Sequence, residues 1–205
     1  IEIIFIKELL KKKKDKRILK EYRKIQKYKK KIKFIYQNEP RGTGDAVLKT
    51  KNLIKDKHFL MLLPDDLIIG NNCSKKMIAI HKKYKSSVMA SMKVNKKNVS
   101  RWGIFKVKQH LSKNNFLIAN VVEKPSVKSA PSNNAVIGRY ILPKKIFNNL
   151  KNQKKGKGGE VHITDAIQSL ILNNNKFVGH NFAGKYLDCG TLKGYIDSSN
   201  KISKL

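Results

Sequence analysis

The chain has 205 residues, 40% of them apolar, which is enough for the core of one domain or of one and a half. Its formal net charge is +32, carried by 46 basic residues of which only five are Arg. The longest apolar runs are strand-sized, so the composition excludes a membrane span.

The positive charge allows two interpretations. Clustered cations would release counterions from a polyanion, which is typical of a nucleic-acid-binding protein. The lysines, however, are spread through the chain and do not form one stripe with interleaved aromatic residues. The pattern therefore favours a solvated surface over nucleic-acid binding.

The cysteines and the N-terminal region indicate a compartment. Cys73 and Cys189 are far apart and lack metal-ligand spacing, and no secretory cleavage pattern is present. The sequence therefore predicts a protein of the reducing cytoplasm.

Hydrophobic periodicity and turn residues predict alternating helices and strands. Helices are predicted at residues 1–33, 45–55, 77–85, 143–150, 164–172 and 192–202. Strands are predicted at residues 32–36, 59–63, 87–94, 102–107, 116–122, 135–142, 177–182 and 185–188, with a polar hairpin link at 109–115 and a mobile loop at 152–159. The alternation indicates an α/β sheet, and the strands in the middle of the chain indicate an added antiparallel portion.

A turn with two glycines follows the first predicted strand. Gly42 and Gly44 would let a ligand approach the backbone, although an ordinary turn explains them equally well. Gln37, just before the turn, carries a paired donor and acceptor that could read the edge of a base. Asp45 is expected to cap the helix that begins at the turn.

The next apolar strand ends in two carboxylates, Asp65 and Asp66. Carboxylates at a strand end are suited to Mg²⁺ bound to phosphates. Because neighbouring strand residues point to opposite faces, at most one of the two is expected to bind a metal directly. A turn with solvated acids is the alternative for this pair.

Several motifs succeed one another along the chain, and their order is more specific than any one of them. They read Gln-x-Glu-Pro-x-Gly-x-Gly-x-Ala-Val, Leu-Pro-Asp-Asp, Trp-Gly-Ile, Val-Glu-Lys-Pro, Ala-Pro-Ser-Asn-x-Ala-Val-x-Gly-Arg-Tyr, Gly-Gly-Glu-x-x-x-Thr-Asp-Ala-Ile and Asp-Cys-Gly-x-x-x-Gly-Tyr. This order resembles the bacterial UTP–glucose-1-phosphate uridylyltransferases (UDP-glucose pyrophosphorylases) from about residue 34 to the C-terminus.

The resemblance implies a fold, a reaction and ligands. The fold would be α/β, a Rossmann-like (GT-A-like) nucleotidyltransferase with a mixed sheet flanked by helices. The enzyme would form UDP-glucose and pyrophosphate from UTP and glucose 1-phosphate with Mg²⁺ as cofactor. Members of the family commonly assemble as dimers or tetramers, which implies a homo-oligomer.

The resemblance also implies roles for individual positions. The catalytic positions would be Lys124, which holds the sugar phosphate, and Asp65, which binds the metal. The remaining positions are Gln37 and Gly42 for the uracil, Gly103, Glu123, Gly138 and Glu160 for the sugar, and Asp188 as a further residue at the metal. Asp45 stands where the family commonly has His.

One element of the family is absent from the sequence, the glycine-rich Gly-x-Gly-Thr-Arg loop that wraps the nucleotide phosphates. The resemblance therefore implies one partial, N-terminally truncated domain over 1–205 that lacks the first strands of the nucleotide-binding half. Its expected parts are a basic helical segment (1–33), a nucleotide and metal part (34–100), a sugar-phosphate part (101–190) and a C-terminal helix (191–205).

Such a chain alone is expected to be a poor or inactive catalyst, and a separate N-terminal fragment would be the partner that complements it. Two alternatives from other classes stay open. One is a basic polyanion-binding protein derived from the enzyme, and the other is a non-functional relic of it.

Overall fold

The computed structural model describes residues 16–154 and 156–204. The chain divides into two units, Ile1–Tyr36 and Gln37–Leu205. The expected parts at 1–33, 34–100, 101–190 and 191–205 stay a prediction. No helix in the described ranges is long and apolar enough to cross a membrane.

The first unit contains one described helix, α1 (Lys16–Lys29), which has no buried residue. It confirms part of the helix predicted at 1–33, whereas residues 1–15 lie outside the described part. The strand predicted at 32–36 is wrong, because these residues have no strand conformation and Phe34 and Tyr36 are exposed. β-branched and aromatic residues fit a half-buried pleated surface, but they do not by themselves supply the neighbouring strand that a ladder requires.

The second unit alternates strands and helices. Its helices are α2 (Thr43–Lys49), α3 (Cys73–Tyr84), α4 (Ile146–Asn152), α5 (Ile163–Leu172) and α6 (Leu192–Ile202). Its strands are β1 (His58–Leu62), β2 (Asp66–Ile69), β3 (Ser87–Lys93), β4 (Ile104–Ser112), β5 (Asn115–Val122), β6 (Asn134–Pro143), β7 (Phe177–Asn181) and β8 (Lys185–Asp188). Two 3₁₀ turns occupy Lys96–Arg101 and Lys157–Gly159.

Six strands form one mixed sheet in the order β1-β6-β3-β7-β5-β4. Only the β3–β7 pair is parallel among its described ladders, and the β4–β5 hairpin supplies the predicted antiparallel portion. Strands β2 and β8 form a separate antiparallel pair. The predicted mixed α/β sheet is therefore confirmed.

The sheet is covered by helices on both faces. Alternate residues of β3 show this: Met89 packs in the cluster that holds α4 and α5, whereas Val88 and Ala90 pack in the cluster that holds α3. Successive side chains of a strand point to opposite faces. A continuous apolar strand is the expected sequence for a strand buried on both sides.

Several predicted boundaries differ from the observed ones. The helix predicted at 45–55 ends at Lys49, and the Thr50 hydroxyl donates to the Val47 carbonyl at 2.7 Å, a local bond that competes with helix continuation. The β4–β5 link is shorter than 109–115, because Ser112 already pairs with Asn115. The loop predicted at 152–159 contains the 3₁₀ turn, and the Gly156 amide donates to the Glu160 carbonyl at 2.8 Å.

The expected capping role of Asp45 is wrong. The N-cap of α2 is Gly42, which makes no side-chain capping bond, and Asp45 lies inside the first turn of the helix. Its carboxylate is engaged by the side chain of Gln37 instead.

One carboxylate, that of Asp66, joins the two sheets. Its Oδ2 accepts from the Gly138 amide of β6 at 2.6 Å, and its Oδ1 accepts from the Tyr186 hydroxyl of β8. Gly138 permits this approach, since a side chain there would overlap the carboxylate and would lie 2.6 Å from Leu63 Cβ. Arg139 holds the segment between β1 and β2, because its guanidinium donates to the Leu63 carbonyl at 2.8 Å.

Burial raises the pKa of Asp66, and the nearby charge of Asp65 adds to this, although the bonds from Tyr186 and Gly138 act in the opposite direction. A raised pKa means that the folded chain holds the proton more tightly than the unfolded chain does. The stability that Asp66 contributes is therefore present at low pH. It is lost as the pH rises above the ordinary pKa of an aspartate and through the raised pKa of Asp66.

Replacing Asp66 by Asn, which does not titrate, tests this linkage. We expect the free energy of unfolding of the wild type, relative to Asp66→Asn, to fall as the pH rises from about 4 to about 7. Urea unfolding across that range measures it, with Asp56→Asn as the control for an exposed carboxylate. Parallel pH profiles for the wild type and Asp66→Asn would contradict the assignment.

The α4 layer can be tested by truncating Phe147, which is 1% exposed and stacks on Phe59 with ring centroids 5.4 Å apart. Phe147→Ala should lower the free energy of unfolding by about 3–5 kcal/mol, because it removes buried surface and leaves a cavity. Leu172→Ala, at a side chain that is 71% exposed, is the matched control and should change it by less than about 0.5 kcal/mol. Equal losses in urea unfolding would show that this layer is not packed as described.

Candidate active site

The candidate site is a cleft of about 230 Å³ at the ends of several strands. Its lining residues are Thr43, Leu63, Asp66, Arg101, Trp102, Gly103, Glu123, Val136, Gly138, Tyr140, His162, Ile163 and Thr164. Clefts beyond strand ends are the usual ligand sites of open α/β sheets.

The carboxylates of Asp65 and Asp188 converge next to this cleft. Asp65 follows β1 and Asp188 ends β8, and both approach the same point: a methyl group on Gly190 would lie 2.8 Å from Asp65 Oδ2 and 3.4 Å from Asp188 Oδ1. The Cys189 amide donates to the Asp65 carbonyl at 2.8 Å, which ties the two segments together.

This donor set fits Mg²⁺, which is commonly held by one or two carboxylates and completed by substrate phosphates and water. The described residues contain no cluster of three or more His, Cys, Asp or Glu side chains that could hold a metal by themselves. Asp65 and Asp188 are the converging carboxylates that could hold such an ion, and Asp188 already accepts from Arg101 at 3.0 Å and from the Gly190 amide at 3.1 Å.

Asp65 and Asp66 face different surroundings, although they do not end one strand as expected: β1 ends at Leu62, Asp65 lies in the following turn, and Asp66 begins β2. Asp65 is exposed, whereas both carboxylate oxygens of Asp66 accept hydrogen bonds inside the protein. Burial, together with the bond to Asp66, raises the pKa of Tyr186, so this hydroxyl stays protonated and remains a donor. Asp66 is thus engaged in structure, and Asp65 is available to a ligand.

Arg101 lines the candidate cleft, although no motif of the sequence pointed to it. Its Nη2 lies 3.0 Å from Asp188 Oδ2, and its guanidinium stands over the Trp102 ring at 4.7 Å from the centroid. A guanidinium gives planar, forked contacts that an ammonium cannot reproduce. The scarcity of Arg in a Lys-rich chain was the available signal: in the second unit Arg41, Arg101 and Arg139 all make specific contacts.

The cleft brings together three of the four predicted sugar positions. A methyl group on Gly103 would lie 3.1 Å from Glu123 Oε2, so the missing side chain leaves room for this carboxylate. Gly138 lines the same cleft. Glu160 does not: it is exposed, and its Cβ lies next to Gly42.

Lys124 lies beside the cleft without lining it. Its backbone has φ of 43°, and its amide donates to the Trp102 carbonyl at 3.2 Å, which fixes the turn after β5. The side chain is exposed and follows Glu123 directly. The structure therefore keeps Lys124 near Glu123 and leaves its ammonium group open to an anion.

The predicted base-reading residues form a compact group at the start of α2. Gln37 Nε2 donates to Asp45 at 2.7 Å and to the Gly42 carbonyl at 3.2 Å. Gly42 has φ of 97°, and a methyl group there would lie 2.7 Å from the Val161 carbonyl. Only glycine fits this position without strain.

The burial of Tyr140 gives the cleft a polar side chain that stays neutral. Tyr140 is 4% exposed, and burial raises the pKa of its hydroxyl, with the Asp66 and Glu123 carboxylates acting in the same direction. A neutral phenol adds no negative charge of its own to a cleft that already contains the carboxylates of Asp66 and Glu123.

Comparison with known proteins shows to which family the chain belongs. The pattern of the family described as "Nucleotidyl transferase" matches residues 2–204. The UTP–glucose-1-phosphate uridylyltransferase of Pseudomonas aeruginosa is 35% identical over 167 residues, which cover 80% of this chain and 59% of that protein. The chain thus spans less than two thirds of the length of this relative.

Solved structures agree. A UDP-glucose pyrophosphorylase complexed with UDP-glucose is 36% identical, with a TM-score of 0.78 over 84% of this chain and 66% of that one. A UTP-bound UGPase from Acinetobacter baumannii is 29% identical, with a TM-score of 0.80 over 97% of this chain and 69% of that one. The expected nucleotidyltransferase fold and the resemblance to uridylyltransferases are confirmed. The chain therefore belongs to the nucleotidyl transferase family of enzymes.

Proposed function

We propose that the chain takes part in the transfer of a uridylyl group from UTP to glucose 1-phosphate, with UDP-glucose and pyrophosphate as products. The observation that carries the proposal is the convergence of Asp65 and Asp188 at Gly190, beside a cleft that contains Glu123. The names of the relatives and the UDP-glucose and UTP in the solved structures support the choice of substrates.

The reaction is a displacement at phosphorus. An oxygen of the glucose 1-phosphate attacks the α-phosphorus of UTP, a new P–O bond forms, and the bond between that phosphorus and the oxygen of the leaving pyrophosphate breaks. No further reactant is needed. Such transfers depend on alignment of the two anions and on neutralisation of their charge.

Each proposed residue serves alignment or charge. Asp65 and Asp188 would hold Mg²⁺, which supplies positive charge at the phosphate oxygens when it is bound. Lys124 would hold the phosphate of the sugar, and the neighbouring Glu123 would accept hydrogen bonds from sugar hydroxyls. Because Asp65 lies in 34–100 and Asp188 in 101–190, we propose that the two parts share the metal site.

The base is proposed to lie at the start of α2. Gln37 and Gly42 sit together there, with Glu160 next to Gly42. Glu160, which the resemblance implies at the sugar, would therefore lie where the base and the sugar meet.

Incubation of the purified chain with UTP, glucose 1-phosphate and Mg²⁺ tests the proposal. We expect UDP-glucose and pyrophosphate in equal amounts, with dependence on all three additions and loss on treatment with EDTA. The same assay gives the rate, which tests the expectation of a poor catalyst. Failure to form UDP-glucose, together with failure to bind it in ligand-detected NMR, would contradict the proposal.

The role of Lys124 can be tested by removing its ammonium group. Lys124→Ala should raise KM for glucose 1-phosphate about tenfold or more and leave KM for UTP nearly unchanged, because one charge-assisted bond to the sugar phosphate is lost. Lys128→Ala, at an exposed lysine in the same segment, is the matched control. The same change in both variants would indicate a general effect of positive charge.

A further inference from the structure

We propose that Asp45 fixes the orientation of the Gln37 amide, and that this makes the site selective for a base with an N–H at ring position 3, such as uracil, over cytosine. The inference rests on the proposed function, because it takes Gln37 as the residue that meets the base. Asp45 itself would be a positioning residue that does not touch the nucleotide.

The orientation of the amide follows from its two partners. Gln37 Nε2 donates to a carboxylate oxygen of Asp45 at 2.7 Å and to the carbonyl of Gly42 at 3.2 Å. A carboxylate and a backbone carbonyl can only accept hydrogen bonds. The reversed amide would place Oε1 against two acceptors, so the chemistry of the partners permits one orientation only.

The partners are held in place by the backbone around them. Asp45 lies in the first turn of α2, where the Gly44 amide donates to the Val161 carbonyl at 2.7 Å and the Ala46 amide donates to the Gly42 carbonyl at 3.2 Å. Gln37 and Asp45 are both half-buried. The carboxylate is therefore presented to Gln37 from a fixed position.

This arrangement leaves one group of Gln37 for a ligand. Both amide hydrogens are used inside the protein, and Oε1 accepts no hydrogen bond from the described residues. A carbonyl oxygen selects a donor. Uracil carries N–H at ring position 3, whereas cytosine in the same place presents an acceptor, and two acceptors repel each other.

Asp45, which stands where the family commonly has His, thus has a physical role in this inference. An Asn at position 45 could accept from Gln37 through its oxygen or donate through its nitrogen, so only the longer contact, with the Gly42 carbonyl, would still oppose the reversed Gln37 amide. The isosteric change Asp45→Asn should therefore weaken the discrimination between bases without removing the side chain that fills the space.

The experiment measures dissociation constants of UTP and CTP, with Mg²⁺, for the full chain by calorimetry. Asp45→Asn should shift the preference for UTP over CTP by about tenfold towards CTP, which is the effect of one hydrogen bond. Glu39→Gln is the matched control, since Glu39 is an exposed carboxylate of the same segment that pairs with Arg41 at 2.8 Å. This control should keep the wild-type preference.

A second measurement needs no nucleotide. The side-chain amide protons of Gln37 should change their NMR shifts and exchange faster with water in Asp45→Asn, and should stay unchanged in Glu39→Gln. Unchanged Gln37 signals in Asp45→Asn would overturn the inference.

The outcomes separate the two proposals. A wild-type preference for UTP that persists in Asp45→Asn would overturn the inference and leave the proposed function intact. A wild-type chain that binds UTP and CTP equally well would also overturn the inference alone. A wild-type chain that binds neither nucleotide would overturn the proposed function and the inference with it.

Discussion

The carboxylate of Asp66 is the interaction on which the site depends. It accepts from Gly138 in the main sheet and from Tyr186 in the two-stranded sheet, and so joins the two. A buried carboxylate is costly unless its oxygens are satisfied, and here the cost appears as a raised pKa. The bond from Gly138 also fixes β2 against β6, so Asp66 holds the segment that contains its neighbour Asp65 in position.

The positions of Asp65, Asp188 and Arg101 depend on the contacts of Asp66. Asp66 pairs with Asp188 in the β2–β8 ladder, and Asp65 lies in the turn just before it, where the Cys189 amide donates to the Asp65 carbonyl and the Asp65 carboxylate comes close to that of Asp188 beside Gly190. Arg101 meets Asp188 there and also lines the cleft. The proposed cation site, sugar cleft and phosphate-binding lysine would thus lie next to one another.

Much of the fold and part of the candidate site could be predicted from the sequence, and the wrong predictions have one cause in common. The order of short motifs predicted the family, whereas the expectation that at most one of Asp65 and Asp66 binds a metal directly stays a prediction. What could not be predicted were contacts between distant segments, such as Arg101 with Asp188 and Tyr186 with Asp66. Predictions from local sequence failed where a contact with a distant or neighbouring group decides the structure. Residues 32–36 have strand propensity but no strand beside them to pair with. Asp45 accepts from the side chain of Gln37 and does not cap α2.

We propose that Asp66 builds the site while Asp65 binds the cation. Mn²⁺ binding, followed by electron paramagnetic resonance with Mn²⁺ in place of Mg²⁺, tests it most directly in the full chain. Asp65→Asn should weaken Mn²⁺ binding about tenfold or more, because a charged ligand is lost. Asp66→Asn, whose side-chain oxygen can still accept from Gly138, should change Mn²⁺ binding far less. Greater weakening in Asp66→Asn than in Asp65→Asn, in chains that remain folded, would contradict it.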